Sequence, residues 1–105
     1  MQPLDIQQLD TTVHGPVRLG VLAALQVDGP LNFTTLRKRL KVSDGAIGLH
    51  LRKLEDTGYI KSSRAFVGRR PQTKYVLTRQ GRKAFHAYLD QMQGLLDAVR
   101  GRGRQ

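Results

Sequence analysis

Cysteine is absent from this chain of 105 residues, which excludes disulfides, thiolate metal sites and thiol redox sensing. No segment approaches the roughly 18 apolar residues of a membrane-spanning helix. The opening stretch, MQPLDIQQLD, has two acids and no apolar run, so no signal peptide is expected there. No glycine-rich phosphate loop with its lysine is present. No serine, histidine and acid grouping pairs a nucleophile with a base. Aromatic residues are few, three phenylalanines and three tyrosines. Internal repeats are missing. These absences leave a single small non-enzymatic domain, expected to be soluble and cytoplasmic, with no cofactor and no membrane partner.

Acidic residues are also scarce: eight stand against eighteen lysines and arginines, for a net charge of +10. The excess is concentrated. Residues 1–34 carry one basic residue, Arg18, and three acids; residues 35–83 carry fourteen basic residues and three acids; residues 84–105 are nearly neutral. A solvated surface kept basic for solubility would spread its charge more evenly. A cationic middle third is the electrostatic footprint of a polyanion partner.

The apolar pattern divides the chain into elements. Residues 1–12 contain Leu4, Ile6 and Leu9, consistent with a short helix that packs on something else. In HGPVRLGVLAALQVDGP, Pro16 suits a first helical position, and Val17, Leu19, Val21, Leu22, Leu25 and Val27 predict a core helix stopped by Asp28-Gly29-Pro30. Leu31–Phe33 reads as a very short strand. Thr34–Leu40 reads as a second helix with Leu36 and Leu40 inward. After Lys41-Val42, Ser43 caps a third helix whose Ile47, Leu51 and Leu54 define a buried stripe, and Gly58 ends it. Strands follow at Tyr59–Ala65 and Thr73–Leu77, with FVGRRPQ as the loop between them. Thr78 caps a long helix to about Arg100. There Phe85, Met92 and Val99 repeat every seven residues, as do Tyr88 and Leu95, with Leu89 and Leu96 beside them.

Helix, tight turn, helix and a basic hairpin, in that order, form the arrangement that places a second helix in the DNA major groove with a wing beside it. HGPVRLGVLAAL, SDGAIGLHLRKLEDTGYI and FVGRRPQTKYVLTRQG, spanning roughly residues 13–82, resemble the small winged helix–turn–helix regulators of the MarR/ArsR-like type, and more closely the short winged helix DNA-binding domain family. That resemblance implies an α+β, mainly α fold: a winged helix–turn–helix with a two- to three-stranded antiparallel wing and a long C-terminal dimerisation helix. Residues 1–100 would form one domain, with the helix–turn–helix at 34–57, the wing at 59–77, and dimerisation helices at 1–12 and 78–100. Residues 101–105 would be a disordered basic tail. The resemblance also implies homodimers on pseudo-palindromic operators, Ser43 to Gly58 as recognition helix, and Phe66 to Gln72 as wing.

The third helix contains two glycines, each costing about 0.5–1 kcal/mol relative to alanine in a helix interior. With Ile47, Leu51 and Leu54 inward, Gly45, Leu49 and Arg52 fall on the opposite side, flanked by Ala46, Gly48 and Lys53. Glycine there permits close approach to phosphate at a helix start. Few groups on this face offer bidentate base contacts: Leu49 and Ala46 can touch thymine methyls, while His50, Arg52 and Lys53 serve base edges or phosphates. Leu49 as a further core residue is the competing expectation. The remaining expected DNA contacts are Ser43 and Asp44 at the helix start, Arg69 and Arg70 at the wing tip, Arg37 and Lys38 with Arg39 on the preceding helix, and Arg64 and Lys74 with Lys61 on the hairpin. Arginine at the tip suits a narrow, negative minor groove.

The expected dimer interface combines Leu4, Ile6 and Leu9 with Phe85, Tyr88, Leu89, Met92, Leu95, Leu96 and Val99. Two-fold symmetry would set half-sites about 10 bp apart. His86 and Asp90, four apart on the last helix, read as a helical contact rather than a metal site. His14 reads as a capping or packing residue. The function expected is a DNA-binding repressor acting on duplex operators, and any small-molecule effector would sit between the dimer helices and the winged domain. An RNA-binding basic domain and a winged helix that contacts only proteins stay open as alternatives.

Overall fold

The computed structural model describes residues 8–101. Four helices and a three-stranded sheet follow in the order α1 (Pro16–Asp28), β1 (Leu31–Asn32), α2 (Phe33–Leu40), α3 (Asp44–Thr57), β2 (Ile60–Val67), β3 (Arg70–Leu77) and α4 (Arg79–Leu96). A π-helical turn, Asp97–Gly101, prolongs α4.

Local chemistry sets the boundaries. Pro16 begins α1, where its missing N–H would have no partner anyway. The Asn32 side chain accepts from the Thr35 amide at 2.7 Å, so α2 starts one residue earlier than the apolar pattern implies. Lys41 takes a left-handed conformation with φ of 57° and returns its amide to the Arg37 and Lys38 carbonyls, which makes the turn into α3 short. Ser43 caps α3, accepting from Ala46 at 3.1 Å, and Gly58 closes it with φ of 88°. The Thr78 hydroxyl accepts from the Gly81 amide at 2.9 Å and donates to the Gly58 carbonyl at 2.7 Å. One side chain thereby starts α4 and ties it to the end of α3.

The core is the stripe read from the sequence: Val21, Leu22 and Leu25 of α1, Leu36 of α2, and Ile47, Leu51 and Leu54 of α3. Ile60, Phe85, Tyr88 and Val13 close it. Burying a side chain of this kind stabilises by about 1.5–3 kcal/mol. Asp10 holds the segment before α1, accepting from the Thr12 amide at 2.8 Å, the Val13 amide at 3.2 Å and the Tyr59 hydroxyl. Burial, then the hydrogen bond and the negative charge of Asp10, push the Tyr59 phenol up to about 12.

The sheet order is β1-β3-β2, antiparallel throughout, with Ile60 opposite Leu77, Val67 opposite Arg70 and Leu31 opposite Tyr75. The strands run further than the sequence pattern implied. Phe66, Val67, Arg70, Pro71 and Gln72 are strand residues, and only Gly68 and Arg69 turn. Gly68 has φ of 65° and Arg69 does not have positive φ, the pattern of a type II′ turn. Pro71 is tolerated because the hydrogen-bonded pair flanks a two-residue turn, and Phe66–Pro71 is the next, non-bonded pair.

Two further expectations are corrected. Val27, counted with the core face of α1, is 79% exposed at the helix end. Phe85 and Tyr88, expected at a dimer interface, are buried in the protomer's own core. A seven-residue repeat marks an apolar stripe without saying whether the same chain or a second one covers it. Leu4, Ile6 and the tail from 102 onward lie outside the described residues. Leu9 packs against the core.

Candidate nucleic-acid interface

The outward side of α3 is bare. A Cβ added at Gly45 or at Gly48 would meet no atom within 4 Å, and neither glycine has positive φ. Neither packing nor backbone conformation within the protomer requires glycine at these positions. Leu49 stands beside Gly45 on the far side of the helix from Ile47, Leu51 and Leu54, and is 71% exposed. That exposure decides against the core alternative. Ala46 is half-buried, while Arg52 and Lys53 are exposed one turn further on.

The polar side chains near the start of α3 are engaged within the protein. Ser43 Oγ caps the helix. Asp44 pairs with Arg37 Nε at 2.9 Å, which clips α2 to the start of α3. His50, half-buried, lies 3.1 Å through Nδ1 from Nη1 of Arg18. A guanidinium only donates, so Nδ1 accepts and the imidazole carries its proton on Nε2.

Arg18 is the residue that sequence reasoning missed. Its Nε donates to the Thr12 carbonyl at 2.6 Å, and Nη2 donates to the Thr11 carbonyl at 3.1 Å. With His50 as a further partner, this one guanidinium joins the segment before α1 to α3. A signal was available: Arg18 is the only cation in residues 1–34 and sits between Val17 and Leu19 on an apolar helix. A charge so placed must satisfy its donors on nearby backbone.

The wing leaves the end of α3 directly through Gly58 and Tyr59, and Ser62 on β2 donates to Glu55 of α3 at 3.0 Å. Beyond Ile60 every residue of β2 is exposed. Arg64, Arg69 and Arg70 are exposed and Lys74 is half-buried. Phe66 and Val67 are exposed beside them. Among the described residues the ion pairs are Arg37–Asp44 and Arg39–Asp28, so the wing cations and Arg52, Lys53 and Lys38 have no acid partner. His86 Nε2 lies 3.2 Å from Gln26 Oε1, and His14 Nδ1 lies 2.7 Å from the Tyr88 hydroxyl. Both therefore have structural partners, and among the described residues no group of three or more potential metal ligands occurs. No helix among them is long and apolar enough to cross a membrane.

The chain is similar to known proteins over most of its length. It is 33% identical over 73 residues to an uncharacterised protein of Methanocaldococcus jannaschii, covering 70% of this chain and 79% of that one. It is 30% identical over 90 residues to an uncharacterised HTH-type transcriptional regulator of the same organism, covering 86% and 88%. Among solved structures, a transcriptional regulator homologue from Pyrococcus horikoshii superposes with a TM-score of 0.79 at 26% identity, covering 85% and 88%. A regulator of the MarR family from Enterococcus faecalis shares the fold, with a TM-score of 0.79 over the whole of this chain and 98% of its own, at 19% identity. The family model for the winged helix DNA-binding domain matches residues 17–96, from the core helix through the helix–turn–helix and wing to the end of α4. The bare third helix and the cationic hairpin are thus the parts of a winged helix–turn–helix, and this chain belongs to the winged helix DNA-binding domain family.

Proposed function

We propose that the protein is a transcription regulator that binds duplex DNA as a homodimer, with α3 in the major groove and the wing on the adjacent minor groove or backbone. Occupancy of an operator that excludes polymerase makes repression the expected outcome. The observation that carries this reading is the pair of glycines on α3 with open space where a side chain would lie. A helix gives up stability there to no internal advantage, so the vacancy serves an approaching partner. The free cations of the wing, Arg64, Arg69 and Arg70, supply the phosphate attraction such a partner needs. Arg37 reaches a phosphate only with the guanidinium donors that Asp44 leaves free, and His50 keeps only Nε2 for an external contact.

The homodimer rests on α4. Leu89, Leu96 and Val99 are exposed, and Met92 and Leu95 are partly so, while Phe85 and Tyr88 are spent on the protomer's core. An apolar edge of this kind is covered well by its two-fold copy. Sedimentation equilibrium checks it, and a monomer at all concentrations removes the symmetric operator but not DNA binding.

The main test is a salt titration of duplex affinity. Log K should fall against log salt by about 0.9 for each phosphate contacted, with several contacts per protomer. A slope equivalent to one or two contacts, or preference for single strands in competition, contradicts the reading.

A further inference from the structure

We infer that α3 reads base sequence through the C5-methyl groups of thymine, with Leu49 as the specificity-determining residue; this rests on the duplex-binding function proposed above. Major-groove readout is made by the N-terminal part of a recognition helix. There, hydrogen-bonding side chains normally pair with base edges. In this protein the polar side chains of that part are turned to other tasks. Ser43 caps the helix, Asp44 is held by Arg37, and His50 accepts from Arg18 through Nδ1. At 100° per residue, Leu49 lies opposite the buried stripe, with Gly45 on its side of the helix and Ala46 and Gly48 at the flanks.

What remains facing outward in the first half of α3 is therefore one large apolar side chain on a surface otherwise of glycine and alanine. The missing side chains let that surface sit deep. The chemistry that such a surface discriminates in a major groove is the methyl group that thymine alone presents among the four bases. Arg52 and Lys53, exposed and without acid partners, lie one turn on and hold the helix to the polyanion without choosing a base. An exposed leucine on an ordinary wet surface would need no explanation. Here it is the one large apolar side chain on the face that the glycines clear, ahead of Arg52 and Lys53.

The test uses the tightest duplex selected from a random 24-bp pool, and the same duplex synthesised with deoxyuridine in place of thymidine. Uracil pairs identically and keeps every phosphate but lacks the methyl. Wild-type protein should bind the thymidine duplex more tightly by about fourfold for each methyl contacted. Leu49→Ala, at an exposed position that leaves the melting temperature unchanged, should bind the two duplexes alike. Equal binding of both duplexes by wild type overturns the inference, as does a thymidine preference that survives unchanged in Leu49→Ala. Recovery of no duplex at all overturns the DNA-binding reading and the inference with it. A preserved salt slope on the deoxyuridine duplex shows that only base reading was lost.

Discussion

Five glycines lie in α1, α3 and α4, namely Gly20, Gly45, Gly48, Gly81 and Gly94, and four of them form two contrasting pairs. At Gly81 a Cβ would fall 2.0 Å from the Tyr59 carbonyl oxygen, and at Gly20 it would fall 2.6 Å from Leu40 Cδ2. At Gly45 and Gly48, which stand together on α3, it would meet nothing, as is also true of the single Gly94 on α4. The first pair exists because two elements cross too closely for a side chain. The second pair has no such reason within the protomer. Glycine in a helix is therefore not one signal but two, and only the surrounding atoms tell them apart. The packing pair serves the fold, and the open pair leaves the outward face of α3 clear for the partner proposed above.

Substitutions can break or sharpen that contrast. The largest effect is expected at Gly81→Ala, where backbone must move, at a cost of about 3 kcal/mol in denaturant unfolding. Gly20→Ala should cost distinctly less, because the obstructing atom is the end of a flexible leucine. Equal costs at the two positions would show that α4 does not approach the Tyr59 backbone as closely as described.

Next comes Arg18→Ala, which strips a charged donor from the Thr11 and Thr12 carbonyls and from His50. Loss of a hydrogen-bonded charge should destabilise by roughly 2 kcal/mol, with amide exchange rising in the segment before α1 as well as in α3. Unchanged exchange in α3 would mean that the guanidinium does not join the two.

The double variant Arg69→Ala/Arg70→Ala should leave unfolding untouched, since both side chains are exposed and free of acids. Duplex affinity should fall by about 10- to 100-fold and the salt slope by about 2. An unaltered slope would take the wing out of the interface.

The smallest effect is in alkali. The Tyr59 phenol, held up to about 12 in the folded protein against 10.0 unfolded, stays protonated where the unfolded chain has ionised. The stability it contributes is fully present below pH 10 and is lost as pH rises from 10 towards 12. Tyr59→Phe should flatten unfolding free energy across that window, and a slope identical to wild type would contradict the assignment to Tyr59.

Much of this molecule was legible in the chain, and the exceptions share a cause. Caps at Ser43 and Thr78, the glycine stop at Gly58 and the stripe Ile47, Leu51, Leu54 are local, so spacing reveals them. The charge excess on the candidate interface is compositional and equally visible. Pro71 misled because a proline reads as a loop former unless its register across the hairpin is known. Phe85 and Tyr88 misled because periodicity reports an apolar stripe and not its owner. Arg18 stood out as a lone cation on an apolar helix, but its partners Thr11, Thr12 and His50 lie outside α1 and are brought to it by packing. Asn32 was missed as a cap because the expected strand at Leu31–Phe33 took it in and drew the helix boundary one residue late.

The most direct measurement pairs stability with affinity in Gly45→Ala/Gly48→Ala. Both new side chains enter open space on a helix, so the melting temperature should rise, by the equivalent of about 1 kcal/mol in total. Duplex affinity should fall in the same protein, because the added carbons occupy room left for DNA. A variant that is more stable and binds duplex as well as wild type would contradict the claim that the bare face of α3 is kept for a double helix.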